Sequence, residues 1–477
     1  MRCALLLLGL AGAVSPAAAG DTRRELADHV DANSRVYERV ALDIWRLAEV
    51  GYQEEQSSAL LQQQLEEAGF AVEAGVAGIP TAFVASWGSG EPVIGILAEF
   101  DALPGINQDA VPERAEIAGK TAGHACGHHL FGAGSTAAAL AVRDWLERSG
   151  TPGTIRLYGT PAEEGGAAKV YMVRAGLFSD ADAVLHWHAS DRNDASHSTS
   201  LANKSAKFRF TGVSAHAAGA PERGRSALDA VEAMNHMVNL MREHVPQEAR
   251  IHYVITAGGH APNVIPDFAE SFYYVRHPEP EHVEALFARV VQAAEGAALG
   301  TGTRMEHEVI HGIYNVLPNE ALARAMDGNL RRVGGVHYDA EERAFAERLQ
   351  ESLGRDAPPL ARATQIAPFE YYRSGGSTDV ADVSWWVPTA GLRTATWVPG
   401  TAAHSWQAVA AGGTSIGIKG MLVAAKTLAM TAADLFTDVE LLAAANAEHR
   451  ERVGPDFVYE PLLGDRDPPL DYRETPR

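Results

Sequence analysis

Three apolar runs in the first half of the chain have the pattern of strands that are buried on both faces. They cover residues 93–98, 154–159 and 183–188, and each is continuous rather than an alternation of apolar and polar residues. Each run ends in ionisable residues; Glu99 and Asp101, for example, follow the first one. Because ligand sites in open α/β sheets lie at the carboxyl ends of the strands, the pattern predicts such a sheet with a site along one edge.

Helical periodicity accompanies these strands. It predicts two amphipathic helices over 35–69 and an Ala-rich helix over 132–148. From about residue 200 to 314 the pattern changes to βαββαβ, the element order of a ferredoxin-like α+β domain. The earlier sheet pattern returns at 390–430, so this smaller domain is predicted to be inserted into a larger α/β domain with a mixed sheet.

The predicted larger domain therefore consists of two parts, residues 20–199 and 315–477, which flank the insertion at 200–314. Within the second part, a charged helix followed by Pro-rich chain at about 340–375 indicates a surface insertion. The tail after residue 454 is rich in Pro and charge, and it is predicted to lie extended on the surface.

The first nineteen residues have the pattern of a cleavable signal peptide. Arg2 is followed by an apolar stretch at 4–14 and by small residues at 17–19, as at a signal cleavage site. The apolar stretch is far shorter than the roughly 20 residues that span a bilayer. A periplasmic or secreted protein that begins near Gly20 is therefore predicted, and no later stretch is expected to be long enough to cross a membrane.

Composition excludes several classes of protein. The chain has 477 residues, of which 46% are hydrophobic and 21% charged, which are ordinary values for globular proteins. Its net charge is −21 and it has no basic stripe, so it lacks the cationic surface of a nucleic-acid binder. Of its two cysteines, Cys3 leaves with the predicted signal peptide. Cys126 is then alone, and the mature chain cannot form an internal disulfide.

Cys126 lies in a cluster of candidate metal ligands, His124-Ala-Cys126-Gly-His128-His129, in a Gly-rich turn before the Ala-rich helix. Thiolate and imidazole two residues apart suit zinc or a similar borderline-soft ion. Two other interpretations stay open at this point. The histidines can form a surface tract, or the thiol can be the nucleophile of a Cys–His hydrolase, which needs a base and an orienting group from elsewhere in the fold.

Further candidate ligands follow the next two predicted strands and a turn in the last third. Glu163-Glu164 follows one strand, His186-Trp-His188 ends another, and His404 lies in a Gly-rich turn. Each signal alone has an ordinary explanation, such as a solvated acidic pair or a histidine packed at a strand end. Together they supply a Cys, three His and a carboxylate, with one carboxylate to spare. That set fits two metal ions about 3.5–4 Å apart that share a bridging ligand and activate water for hydrolysis.

These residues stand in motifs that resemble a known family. The motifs, in chain order, are GILAEFDALPG (95–105), GHACGHHLFGAG (123–134), PAEEGG (161–166), GVSAHAA (212–218), GRSALDAV (224–231), APNV (261–264), STDVADVSW (377–385) and GTAAHSWQ (400–407). They resemble the aminoacylase and carboxypeptidase metallopeptidases (metallopeptidase family 20), in the amidohydrolase branch, over nearly the whole mature chain. The resemblance implies a hydrolase of amide bonds with two divalent metal ions, Mn²⁺ or Zn²⁺.

The resemblance also implies roles for individual residues. Cys126 would bridge the two ions. One ion would be completed by His128 and His188, and the other by Glu164 and His404.

Three further residues would act on the substrate. Glu163 would be the general base and acid, and His216 of the inserted domain would stabilise the oxyanion from the partner subunit of a dimer. Asn263 would lie near the substrate carboxylate. The dimer would be a homodimer, or a heterodimer with a related A-type subunit.

Two positions depart from the family pattern. His129 stands where relatives have Asp or Asn, which would change a hydrogen bond behind a metal ligand. Residues 377–380 read Ser-Thr-Asp-Val in place of the Ser-Glu-Asp-Phe of many relatives.

The predicted activity is hydrolysis of an N-acyl or N-aroyl amino acid, a small-molecule substrate, without nucleic-acid or membrane partners. A dipeptidase or broad N-acyl-amino-acid hydrolase on the same site is the first alternative. A periplasmic peptide-binding protein without catalytic activity is the second.

Overall fold

The computed structural model describes residues 16–473, and within them two sheets organise the chain. Its strands, in chain order, are β1 Ala71–Ala74, β2 Phe83–Ser89, β3 Val93–Ala98, β4 Leu103–Pro104, β5 Ala122–Gly123, β6 Gly153–Gly159, β7 Ala183–Ser190, β8 Ser198–Thr199, β9 Ala202–Thr211, β10 Arg250–Ala257, β11 Phe268–His277, β12 Arg304–Ile313, β13 Tyr372–Arg373 and β14 Thr389–Ala395. Its helices are α1 Pro16–Ala32, α2 Ser34–Leu47, α3 Glu55–Glu67, α4 His128–Ser149, α5 Ala168–Arg174, α6 Ala227–Met241, α7 Pro280–Thr301, α8 Glu320–Val333, α9 Ala340–Gln350, α10 Val380–Trp386, α11 Trp406–Gly412, α12 Ser415–Thr437 and α13 Val439–Val453.

The six-stranded sheet is mixed and has the order β1-β2-β6-β3-β7-β14. β6, β3, β7 and β14 run parallel, whereas β1 and β2 pair antiparallel at one edge. The four parallel strands therefore end at the same edge of the sheet. The segments that carry the candidate ligands leave the sheet at this edge.

Buried strands and small residues explain the packing of this sheet. All six residues of β3 are buried, as expected for a central strand that is covered on both faces. The Ala-rich helix α4 lies against it, and a Cβ added at Gly132 would come within 3.2 Å of the Glu99 carbonyl oxygen. The small residues of α4 thus let the helix approach the strand that ends at the site.

The four-stranded sheet has the order β10-β11-β9-β12, and every neighbouring pair in it is antiparallel. Helices α6 and α7 pack on it over a separate apolar cluster that includes Phe208, Phe210 and Tyr273. We call this unit, β9 to β12 with α6 and α7, the lid. Its βαββαβ order and strand arrangement confirm the predicted ferredoxin-like fold, whereas the exact domain boundaries at 200 and 314 stay a prediction.

The start of the chain and helix α12 bear on the predicted signal peptide and on the predicted absence of a membrane-spanning stretch. Residues 1–15 of the predicted signal peptide lie outside the described residues, and the predicted cleavage site at 17–19 falls within α1. Helix α12 is long and apolar enough to cross a membrane by length and composition, so the expectation that no later stretch reaches that length was wrong. However, 78% of its most apolar window is buried inside the protein, as in the core helix of a globular domain.

The predicted surface insertion at 340–375 contains α9 and the short strand β13. The tail after 454 is without helix or strand in its described part, to residue 473. It is not merely exposed, however, because Leu462 and Leu463 are buried. A Cβ added at Gly312 of β12 would come within 2.5 Å of the backbone at these two leucines.

Candidate functional site

The turn that carries Cys126 leads directly into α4, which begins at His128, four residues earlier than the predicted helix. Gly127 makes this possible, because its φ of +86° is in the left-handed region. A Cβ there would also lie 2.6 Å from the Cβ of Ala189. Cys126 and His128 are consequently held in a tight turn and are 6% and 0% exposed.

The thiol of Cys126 lies among three imidazoles. Its Sγ is 3.4 Å from Nε2 of His188, and it is also within hydrogen-bonding reach of His128 and His404. Burial opposes ionisation of the thiol, but the imidazoles of His188 and His128 outweigh it and hold the pKa of Cys126 well below its usual range. A thiolate at this position is suited to bind metal.

The acidic pair lies in a turn between β6 and α5. Ala162 has a φ of +53°, in the left-handed region that residues other than glycine rarely adopt. Its backbone N–H donates to the buried carboxylate of Glu54 at 2.8 Å. This bend lets both Glu163 and Glu164 reach the site, although adjacent residues of a strand would point to opposite faces.

The two carboxylates face different histidines. Oε1 of Glu164 is 3.0 Å from Nε2 of His404, and Oε2 of Glu163 is 4.0 Å from Nε2 of His128. Burial raises the pKa of Glu163 well above its usual range, and the nearby carboxylates of Glu99 and Glu164 add to this effect. A carboxyl group with a raised pKa can both accept and return a proton near neutral pH.

Hydrogen bonds orient two of the histidines toward the thiol. Nδ1 of His128 donates to Oδ1 of Asp101 at 2.8 Å, and Nδ1 of His188 donates to the Ala189 carbonyl at 2.6 Å. In each ring the proton therefore resides on Nδ1, and the lone pair of Nε2 is left for a metal ion. Asp101 also accepts the backbone N–H of Glu164 at 3.0 Å, so one carboxylate fixes both the ring and the acidic turn.

His404 reaches the site from the chain that follows β14. Its φ of +61° is in the left-handed region, and its backbone N–H donates to the Ala125 carbonyl at 2.9 Å. This contact fixes its turn beside Cys126. The structure thus brings together six of the residues named from the sequence: Cys126, His128, Glu163, Glu164, His188 and His404.

These side chains fit a metal centre. Ligand atoms of Cys126, Glu164 and His404 lie within 4.8 Å of one another, as do those of His128, Glu163 and Glu164. Two of the buried ligand atoms, Nε2 of His128 and Oε1 of Glu164, form no well-directed hydrogen bond, although Glu99 lies 3.3 Å from the first and His404 lies 3.0 Å from the second. Unpartnered buried polar atoms are costly in a protein interior unless an ion or other ligand satisfies them.

A buried lysine beneath the site was not anticipated from the sequence. Nζ of Lys169 lies 2.7 Å from Glu99 and 2.6 Å from Asp379, and Lys169 is 0% exposed. Oε2 of Glu99 is in turn 3.3 Å from Nε2 of His128. Asp379 lies in a motif quoted for the resemblance and Glu99 follows a buried strand, but no sequence signal marks Lys169.

The two residues of the inserted domain that were predicted to act on the substrate lie away from the metal ligands. His216 and Asn263 are exposed on the lid, where the Asn263 carbonyl accepts the backbone N–H of Ala217 at 3.0 Å. Neither residue lines the cleft that contains the metal ligands. Within one chain, therefore, the structure does not bring them to the site, and the predicted action of His216 from a partner subunit stays a prediction.

His129 is buried next to the site without facing the ligands. Its Nε2 lies 3.0 Å from the Gly412 carbonyl, and its ring packs on that of His124 at 4.8 Å between centroids. Burial and His124 lower the pKa of His129 well below its usual value, so it is a neutral packing residue. The hydrogen bond between His128 and Asp101 is formed beside it.

The candidate centre lies in a cleft of about 1420 Å³ between the six-stranded sheet and the lid. Lid residues Tyr274 and Arg276 of β11 line this cleft, as do Tyr472 and Arg473 of the tail. Burial lowers the pKa of Arg276, while the Tyr274 phenol opposes this effect. None of these four residues was named from the sequence.

Comparison with known proteins agrees with this geometry. The model of the peptidase dimerisation domain matches residues 202–302. The B-type subunit of p-aminobenzoyl-glutamate hydrolase from Escherichia coli is 41% identical over 455 residues, which are 90% of this chain and 95% of that protein. The chain belongs to metallopeptidase family 20. It is a metal-dependent amidohydrolase of this family, as predicted.

Other relatives extend the comparison. Human Xaa-Arg dipeptidase is 32% identical over 437 residues, which are 88% of each chain. The aminobenzoyl-glutamate utilization protein from Klebsiella pneumoniae shares the fold with a TM-score of 0.59 and 20% identity over 86% of this chain and 97% of that one. A dinuclear metal binding peptidase of the same family from Bacillus subtilis superposes with a TM-score of 0.56 and 19% identity over 83% and 98% of the two chains.

Proposed function

We propose that this amidohydrolase cleaves the amide bond of an N-acyl amino acid, preferably an N-aroyl one such as p-aminobenzoyl-glutamate, and that it does so with two metal ions. The proposal rests on one observation above all. The thiol of Cys126 groups with Glu164 and His404, and the same thiol contacts His188 and His128. One sulfur can therefore serve two ligand sets, as a bridging ligand must.

Cys126 would bridge the ions, one completed by His128 and His188 and the other by Glu164 and His404. Two divalent ions in such a site supply a water of lowered pKa and a polarised amide carbonyl. The thiolate and imidazole donors suit Zn²⁺, and the carboxylate also admits Mn²⁺. Asp101 holds His128 in the tautomer that this arrangement needs.

Glu163 would move the proton. It stands beside His128 without a hydrogen bond of its own to that ring, since their nearest atoms are 4.0 Å apart. Its carboxylate would accept a proton from the attacking water and return it to the departing amine nitrogen. The raised pKa of Glu163 makes its carboxylate a stronger base toward the attacking water.

The lid would bind the acid end of the substrate. Arg276 faces the cleft, and its buried Nε–H has no acceptor among the described residues. A guanidinium in this state is matched to a carboxylate, which it can bind through two parallel hydrogen bonds. Arg276 would therefore hold the free carboxylate next to the scissile amide.

The active form would be a dimer, either of two copies or with a related A-type subunit. β10 is an edge strand of the lid sheet, and its residues Tyr253, Val254 and Ile255 are 36%, 54% and 41% exposed. An exposed apolar edge strand is a template for pairing with a second chain. In such a dimer, His216 would reach the oxyanion in the partner's cleft, as the resemblance implies. We further propose that the protein is periplasmic or secreted, which rests on the composition of residues 1–19.

The test is metal content and turnover of the chain purified without chelator. We expect about two Mn or Zn ions per chain, release of p-aminobenzoate from p-aminobenzoyl-glutamate, and loss of turnover after chelation that added metal restores. Metal content near zero that added Mn²⁺ and Zn²⁺ do not raise would contradict the metal mechanism. Two bound ions without turnover of any substrate would instead favour a binding protein.

A second candidate activity is dipeptide hydrolysis, which the 32% identity to human Xaa-Arg dipeptidase favours. The same ligands and base would serve it, because a dipeptide is also an N-acyl amino acid. A panel of N-aroyl amino acids, N-acetyl amino acids and dipeptides separates the two activities. Higher kcat/KM for a dipeptide than for every N-aroyl substrate would replace the first proposal by the second.

A further inference from the structure

The described part of the C-terminal tail, up to residue 473, reaches into the cleft. On its way it crosses the lid, where Arg466 donates to the Val309 carbonyl and pairs with Glu308 of β12 at 3.2 Å. It then reaches the acidic turn, where the Tyr472 hydroxyl donates to the Glu164 carbonyl at 3.1 Å. Arg473 donates to the same carbonyl oxygen. The last described residues of the chain are thus attached to a candidate metal-binding turn.

The guanidinium of Arg473 keeps one N–H donor that forms no hydrogen bond in this position. Its Nε–H is buried and has no acceptor, and its side chain forms no ion pair with any carboxylate in residues 16–473. Its guanidinium lies 4.6 Å over the ring of Tyr472, and this contact fixes the plane of the guanidinium group. Leaving such a donor buried and unpaired costs free energy that a bound acceptor would recover.

The arginines that line this cleft differ in whether the Nε–H has an acceptor. Four of the described arginines line it: Arg276, Arg393, Arg466 and Arg473. Among these four, only Arg276 and Arg473 have a buried Nε–H without an acceptor.

These two guanidiniums share one wall. Arg276 lies 5.3 Å over the ring of Tyr274, and Arg473 is close enough to act electrostatically on the same phenol. One comes from β11 of the lid and the other from the tail. The lining of the cleft therefore presents two guanidinium groups near one phenol.

We propose that Arg276 and Arg473 bind the two carboxylates of a single substrate, which makes the substrate class N-acyl dicarboxylic amino acids, such as N-acyl-glutamate or N-acyl-aspartate. This inference rests on the proposed function. Arg276 holds the carboxylate next to the scissile amide, and Arg473 holds the side-chain carboxylate. Arg473 is then a specificity-determining residue, supplied by the tail.

The same physical chemistry would bind a carboxylate at both guanidinium groups. A carboxylate can accept two parallel N–H bonds from a guanidinium, and the pair is stronger in a partly desolvated cleft than in water. A neutral amide side chain of the same length offers Arg473 one acceptor oxygen instead of two and no negative charge. Sites built to hydrogen-bond a substrate group discriminate strongly against analogues that lack it.

The test compares N-benzoyl-glutamate with N-benzoyl-glutamine, which differ in charge and not in length. For the wild-type chain we expect kcat/KM to be at least about 100-fold higher for the glutamate compound. Arg473→Met should reduce this ratio to below about 5, mainly through a raised KM for the glutamate compound. Arg473→Lys keeps the positive charge but loses the planar pair of N–H donors, so it should give an intermediate ratio.

The ratio of the two kcat/KM values does not depend on the fraction of enzyme that is folded and metallated, so partial loss of active protein does not affect it. Arg373→Met is the matched control, because Arg373 is an exposed arginine of β13 that does not line the cleft. It should keep the wild-type ratio.

A wild-type ratio near one, or an unchanged ratio in both Arg473 variants, overturns the inference while the proposed amide hydrolysis stands. Absence of turnover for both compounds and for p-aminobenzoyl-glutamate in the metallated wild type overturns the proposed function itself.

Discussion

Nδ1 of His128 lies 2.8 Å from Oδ1 of Asp101, and these side chains are both 0% exposed. The pair fixes the imidazole so that Nε2, which forms no well-directed hydrogen bond, points to the candidate metal centre. Burial opposes ionisation of Asp101, but His128 outweighs it and lowers the carboxyl pKa to about 2. Because Asp101 also accepts the Glu164 N–H, one buried carboxylate organises a histidine ligand and a carboxylate ligand together.

Asp101→Asn is expected to weaken metal binding by about 10- to 100-fold, since the amide orients His128 less firmly and lacks the negative charge that strengthens the ring as a ligand. Metal affinity is measured by competition with a chelating dye. Asp180→Asn, at an exposed ion pair with Arg156, is the control and should bind metal as the wild type does. Unchanged affinity in Asp101→Asn would show that the buried pair does not support the centre.

Glu163→Gln is expected to keep its metal and to lose about 10²- to 10⁴-fold in kcat, because the amide cannot accept the proton of the attacking water. Its thermal unfolding midpoint should not fall, since an uncharged group replaces a buried carboxyl whose pKa burial has raised. Metal analysis and steady-state kinetics check both parts. Turnover within threefold of the wild type would remove Glu163 from the mechanism.

Cys126→Ala, in contrast to Glu163→Gln, is expected to lose its metal ions. Any loss of kcat in this variant would follow from the missing ions. Removal of the thiolate takes away the group that lies with Glu164 and His404 and also contacts His188. Plasma mass spectrometry of the purified variant should give fewer than half the ions of the wild type. A fully metallated Ala variant would contradict the bridging assignment and leave Cys126 as a buried thiol.

Lys169→Met is expected to destabilise the fold by about 3–5 kcal/mol, because it leaves Glu99 and Asp379 buried without their cation. Urea unfolding of the metal-free protein measures the change without a contribution from bound ions. Lys426→Met is the matched control: its partner Asp31 is 56% exposed, and pairs of this kind contribute about 0–1 kcal/mol. Equal effects of the two substitutions would contradict the structural role given to Lys169.

His311 on β12 predicts a pH dependence of stability. Burial, reinforced by Arg276, lowers its pKa from 6.5 to about 4, and Nδ1 accepts a hydrogen bond from Asn203. Between pH 6.5 and about pH 4, the imidazole therefore binds a proton in the unfolded chain but not in the folded chain. The stabilising contribution is complete above pH 6.5, is reduced by roughly 2 kcal/mol at pH 5, and is lost as the pH falls through 4.

His311→Gln keeps an acceptor for Asn203 without the titration, so its unfolding free energy should fall less between pH 7 and 5 than that of the wild type. Chemical denaturation at several pH values gives the two slopes. His244→Gln, at an exposed residue of the lid, should keep the wild-type slope. Parallel slopes for wild type and His311→Gln would contradict the shifted pKa.

The sequence alone determined three strands of the six-stranded sheet, the element order of the lid and the candidate metal ligands. Continuous apolar runs and helical periodicity are local properties, so strand β3 is found at 93–98 as predicted, and the lid has the predicted βαββαβ order. The candidate ligands were named because each lies at the end of a predicted strand or in a Gly-rich turn. Their convergence follows from parallel strands that end at one edge of a sheet.

Tertiary structure alone decided which distant side chains act on that cluster. Lys169 faces Asp379 from 210 positions away, and Arg473 reaches the carbonyl of Glu164 from 309 positions away. Contacts of this kind leave no periodicity in the sequence, because they depend on how whole elements pack. The tail is composed like a solvated surface segment, yet Leu462 and Leu463 are buried against the lid strand β12, and Tyr472 and Arg473 of its described part line the cleft.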